Sequence, residues 1–98
     1  MEERRRAKRI SVYLEIKENN QDASGNTYLL DISETGAKIE TATPYTDGDP
    51  VEFSFVLPDM DKEIYRKGSV IWVLPHPTKV GRSLVGLDFI TNWEIGRR

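Results

Sequence analysis

Two short stretches of this sequence hold residues that could do chemistry together. Arg4 to Arg9 reads RRRAKR, which sets Arg5 and Arg9 four apart, and Asp31 to Gly36 reads DISETG. An arginine guanidinium is a planar fork that bonds bidentately to a phosphate or to the O6/N7 edge of guanine, and its flat face stacks on a base. In extended chain, at about 3.3 Å per residue, the Cα atoms of Arg5 and Arg9 stand roughly 13 Å apart. A turn brings them closer, and either geometry lets two guanidinium groups grip one medium-sized anion. In the second stretch, strict strand alternation puts Leu30 and Ile32 on one face and Asp31 with Ser33 on the other. If the aliphatic pair faces the core, a carboxylate and a hydroxyl project together into solvent. Acceptors of that kind suit the N1–H and N2–H donor edge of guanine, and Gly36 lets a ligand come close to the backbone. Taken singly, each stretch has a plainer reading: a solvated basic tail, and a hairpin whose Asp and Ser cap a turn.

Little else in the chain points to chemistry. His76, the single histidine, lies between Pro75 and Pro77 in an expected loop and makes a poor catalytic base. Most carboxylates fall in turns or on outward strand positions, where solvated acids are the ordinary case. No metal-ligand spacing and no glycine-serine nucleophile elbow occurs. The absence of cysteine excludes disulfides, thiol catalysis and cysteine-bound metal. Trp72 and Trp93 are assigned to core or edge packing in preference to ligand stacking. No enzyme activity, metal or resident cofactor is expected.

Ninety-eight residues, 38% hydrophobic and 31% charged, describe one small globular domain. No apolar run approaches the roughly 18 to 20 residues of a membrane span, and the charged start does not resemble a secretory signal. With the lack of cysteine, this gives a cytoplasmic expectation. The formal net charge is −2, yet Met1 to Arg9 carries +3, which leaves −5 for the remainder. A polymer-binding protein usually spreads a basic patch over its folded face, so this split argues for a small local anion site.

The elements that must position these residues are strands. ISVYLEIK alternates Ile10, Val12, Leu14 and Ile16 against Ser11, Tyr13, Glu15 and Lys17, the period of a half-buried strand. TYLLDIS runs through ETG into AKIET as a hairpin. VEFSFVL and the long EIYRKGSVIWVL follow, the latter apolar on both faces in its second half, as if covered twice. PHPTKVGR reads as a loop and SLVGLDFI as the last strand. Six short strands without a convincing amphipathic helix predict an all-β, six-stranded antiparallel barrel. The expected organisation is a flexible basic ligand-binding segment over residues 1–9 and a single barrel domain over 10–98.

In this order and separation, the two motifs resemble those of the PilZ domain family: R-x-x-x-R just before the first strand, as Arg5 to Arg9, and D-x-S-x-x-G, as Asp31 to Gly36. The similarity continues through Gly36-Ala37, GSVIWV at Gly68 to Val73 and VGLDF at Val85 to Phe89. The resemblance implies a six-stranded antiparallel barrel that binds the bacterial second messenger cyclic di-GMP. Carried over by position, Arg5 and Arg9 hold phosphates and guanine edges. Asp31 and Ser33 take a guanine from its other side, and Gly36 keeps the turn open. Arg4, Arg6 and Lys8 add attraction without fixed roles, and Gly86 is a supporting residue. Many members of the family end in a helix, whereas only nine residues follow Phe89 here. TNWEIGRR is compatible with a short helix, an extended tail or a dimer contact.

The expected activity is that of a receptor or adaptor, monomeric or homodimeric, whose ligand-bound surface a downstream protein reads. The alternative is a protein-interaction module with the same fold that does not use the nucleotide. A barrel binding single-stranded nucleic acid is disfavoured by the acidic body. Affinity, the number of dinucleotides bound and the identity of the partner are left open by the sequence.

Overall fold

A computed structural model describes residues 9–18, 26–57, 59 and 61–89. The strands are β1 (Ile10–Glu18), β2 (Thr27–Ile32), β3 (Gly36–Thr41), β4 (Pro50–Val56), β5 (Glu63–Pro75) and β6 (Ser83–Phe89). They form a closed antiparallel barrel in the order β1-β2-β3-β6-β5-β4, the architecture the alternating pattern predicts. Turn chemistry sets the corners: Gly48 (φ 94°) and Gly81 (φ 81°) occupy the left-handed region that a side chain disfavours. No helix among the described residues is long and apolar enough to cross a membrane.

Inward side chains at every second position fill the barrel. Phe53 is fully buried at its centre, with ring centroids 5.9 Å from Phe55 and 6.2 Å from Phe89, and Leu29, Ile39, Val51 and Val85 close around it. Beside the end of β1 the interior is polar. There the Glu18 carboxylate accepts hydrogen bonds from Tyr45 Oη (2.5 Å) and Thr27 Oγ1 (2.7 Å), so a buried charge has both its oxygens satisfied. Burial, reinforced by the Glu18 carboxylate, pushes the Tyr45 hydroxyl well above its usual range and keeps the donor protonated.

Three register shifts interrupt the alternation, and each falls next to a motif of interest. They lie between Ser11 and Leu14 on β1, Leu29 and Asp31 on β2, and Val70 and Trp72 on β5. A bulge adds one residue to a strand and reverses the facing of everything beyond it. Leu29 is therefore fully buried where alternation from Ile32 points to Leu30, while Ile32 still packs on the core. The second half of β5 also differs from expectation. Instead of being covered on both faces, Ile71 and Leu74 are half exposed. Among the described residues β4 reaches only to the pairing of Pro50 with Ser69, so the second half of β5 has β6 but not β4 beside it, while β6 stays paired with β3 from Ser83 to Asp88.

Beside the turn that joins β5 to β6, Glu40 is buried and clamped by Arg82 Nε (2.9 Å) and Lys79 Nζ (3.2 Å), while Arg82 Nη2 also donates to the Asn26 carbonyl (2.7 Å). Burial by itself raises the Glu40 carboxyl, but the hydrogen bonds and charges of Lys79 and Arg82 together outweigh it and hold the group below its ordinary value of 4.5. A carboxyl depressed by folding stabilises the fold fully above its unfolded pKa and loses that contribution as pH falls through the folded one. Thermal melts from about pH 6 to pH 3 should show the native chain losing more stability than Glu40→Gln. At neutral pH the variant should be about 1 to 2 kcal/mol less stable, a figure kept low because Lys79 is half exposed. His76 also has a structural part here: its Nδ1 accepts the backbone N–H groups of Thr78 and Lys79, both at 3.1 Å, and shapes the hairpin turn.

Candidate ligand-binding site

The β2–β3 turn is held by its own polar groups. The Ser33 N–H donates to the Gly36 carbonyl (2.8 Å), Ser33 Oγ accepts the Thr35 N–H (3.2 Å), and the Phe89 N–H donates to the Thr35 carbonyl (2.8 Å), which ties the turn to β6. Gly36 pairs with Asp88, and a Cβ built on it would fall deep inside contact with the Leu87 carbonyl oxygen, so only glycine lets β3 lie this close to β6.

On the outer face of β2, β3, β6 and β5, next to this turn, lies a cleft of about 470 Å³. Arg9 and Asp31 form one wall. Arg9 Nη2 donates to Asp31 Oδ1 at 3.0 Å and Arg9 Nε to the same oxygen at 3.2 Å, while Lys38 Nζ stands 4.0 Å from Oδ2. Gly36 and Gly86 floor the cleft, and Ile71, Trp72 and Asp88 complete it. Trp72 is opposite Gly86 across the β5–β6 pair, and a Cβ on Gly86 would collide with its indole ring. The missing side chain thus lets the indole lie down against the sheet with 37% of its surface open.

The sequence-derived residues divide as follows. Arg9, Asp31, Gly36 and Gly86 all line the cleft. Ser33 does not project beside Asp31. It is buried, its hydroxyl is engaged within the turn, and it lines a neighbouring groove instead. The reason is that β2 ends at Ile32, so strand alternation does not extend to Ser33, which enters the turn and spends its polar groups on Thr35 and Gly36. Arg4, Arg5, Arg6, Lys8 and the stretch 90–98 with Trp93 lie outside the described residues. Sequence reading passed over Trp72 as packing and over Lys38 altogether. The available signal was Gly86 in the middle of an apolar strand, since an interior strand glycine marks close approach by another group.

A planar cation, a carboxylate with a second cation beside it, and an open aromatic face thus surround one cleft. They can accept donors on a base edge, neutralise phosphate oxygens and stack a ring. The family model described as PilZ domain matches residues 3–96. Among solved structures, the chain is similar to the Bacillus subtilis inhibitor of motility, MotI/DgrA, with a TM-score of 0.70 and 18% identity over 88% of this chain and 42% of that one. This chain thus spans less than half the length of that protein, and at this identity the likeness is one of fold. No curated protein matches the sequence.

Proposed function

The chain belongs to the PilZ domain family, and from that premise we propose that it is a cyclic di-GMP receptor which passes the signal on through a partner protein. The observation that carries this reading is the meeting of Arg9, Asp31 and the open face of Trp72 around one cleft. In this reading Arg9 takes a phosphate or the O6/N7 edge of one guanine, Asp31 accepts from its N1–H and N2–H groups, and Trp72 stacks on a base. Ser33 acts indirectly, by holding the turn that presents Gly36. Arg5 supplies the second grip, with Arg4, Arg6 and Lys8 as a surrounding positive field. Residues 1–9 close over the cleft when the dinucleotide arrives, so that charge neutralisation and base contacts offset the entropy of ordering.

Calorimetric titration tests this directly, and no heat with cyclic di-GMP at tens of micromolar overturns it. Cyclic di-AMP, which has the same phosphates, should bind at least about tenfold more weakly, because its bases offer the wrong edges. Equal affinity would reduce the arginines to a phosphate magnet. Trp72→Ala should cost about 1 to 3 kcal/mol of binding, the worth of one base stacked on an aromatic ring, and leave the chain folded because Trp72 is not part of the buried core cluster.

A further inference from the structure

On the far side of the Ser33–Gly36 turn, the barrel's hydrogen bonding lapses. β1 and β4 pair only as Lys17 with Ser54 and Glu18 with Phe53. From Ile10 to Ile16, β1 is bonded to β2 alone among the described residues. Two adjoining grooves open along this gap and share Phe55. One, of about 320 Å³, lies between Leu14 and Val56. The other, of about 360 Å³, is lined by Ile32, Phe55, Leu57 and Ile64, with Ile10 at its rim. Glu34 and Arg66 also line this second groove. The Arg66 guanidinium donates to the Tyr65 carbonyl (2.9 Å) and makes no ion pair with another described residue.

We propose that this seam docks an extended segment of a partner protein. The segment adds as a strand to the edge of β1 that the other described strands leave unpaired, seats one large apolar side chain in the 360 Å³ groove and sets an acidic residue against Arg66. Exposed N–H and C=O groups along a strand edge are a template for an added strand, with alternate side chains entering pockets on one face. Side chains two apart on such a strand are about 6.6 Å apart, which suits successive grooves. The groove carries Glu34 as well as Arg66, so it is charge-balanced and fits a peptide better than a small anion. The seam also adjoins the ligand cleft. Arg9 lines the cleft and Ile10 the groove, while Ser33 and Glu34 line the groove and Thr35 and Gly36 the cleft. A ligand that takes hold of Arg9 therefore fixes Ile10 at the groove's rim. This last link rests on the nucleotide reading, and the docking does not.

The test is a nuclear magnetic resonance titration of the full chain with a synthetic peptide of about twelve residues, alternating Val and Thr around a central Phe with one Glu nearby. The backbone amides of Ile10 to Ile16 should shift saturably. A control with Pro beside the Phe, which removes a strand donor, should bind at least tenfold more weakly, and one with Lys for Glu at least threefold more weakly. Ile10→Asp, at a position 55% exposed and so safe for folding, should weaken binding at least fivefold. The proposal is overturned by unmoved β1 amides at millimolar peptide, by equal binding of the Pro control, by displacement of residues 90–98 from the groove, or by a dimer in ultracentrifugation that the peptide disperses. The last two would assign the groove to the chain's own end or to a second copy. With saturating cyclic di-GMP the peptide affinity should change at least threefold, and an unchanged value refutes the link. A chain that does not bind the nucleotide refutes the nucleotide reading and leaves the docking result standing.

Discussion

Asp31→Ala will weaken cyclic di-GMP binding by about ten- to a hundredfold in calorimetric titration, the range expected for losing charge-assisted hydrogen bonds, while the melting temperature stays within a few degrees of the native value. The two measurements separate because the Arg9–Asp31 pair is open to water on its arginine side, where Arg9 is 51% exposed. An ion pair in that setting contributes roughly 0 to 1 kcal/mol to folding. A bound dinucleotide excludes that water, and each contact then gains strength. Arg9→Ala should give a loss of the same size. The double variant should lose clearly less than the two single losses combined, because Asp31 fixes the guanidinium in the place from which it meets the ligand. Full additivity would mean that the residues contact the ligand independently and would remove Asp31 from its orienting role.

The second large effect is on stability. Gly36→Ala will cost about 3 kcal/mol, which lowers the melting temperature of a domain of this size by roughly 12 to 24 °C. The added methyl meets the Leu87 carbonyl oxygen and, further on, the Asp88 Cα, all of it backbone that cannot turn aside. To make room β3 must leave β6, and the Phe89–Thr35 hydrogen bond that anchors the turn goes with it. Gly86→Ala is the informative contrast. Its methyl meets the indole of Trp72, a partly open side chain able to swing outward. Denaturant melts should therefore show a small loss at Gly86 and a large one at Gly36, while nucleotide affinity falls in both. A loss at Gly86 as large as that at Gly36 would show that the indole is locked in place.

The barrel was legible because its evidence is local. Alternation over ISVYLEIK, VEFSFVL and SLVGLDFI, with turn residues between them, fixes strands and corners without knowledge of their partners. The cleft was legible in part, for Arg9, Asp31 and Gly36 sit beside the turn that their own sequence forms. What escaped were consequences of pairing. The bulge between Leu29 and Asp31 is a mismatch of β2 against β3, which period-two reading of one strand cannot contain, and it puts Leu29 in the place expected of Leu30, while Ser33 turns inward because β2 ends at Ile32 and the turn takes over. Trp72 shares a strand with buried Val70 and looks like packing until β5 is laid against β6 and its ring is found over Gly86. The exposure of Ile71 and Leu74 likewise depends on where β4 stops pairing.

That arrangement of Trp72 and Gly86 makes two distant positions one unit of inheritance. Any side chain at position 86 evicts the indole, and any small residue at position 72 removes the reason for a glycine there. Among related chains the two positions should therefore change together, with bulky residues at 86 tolerated only where the aromatic ring has gone. Such joint change would mark which relatives carry a flat platform in the cleft and which have given it up.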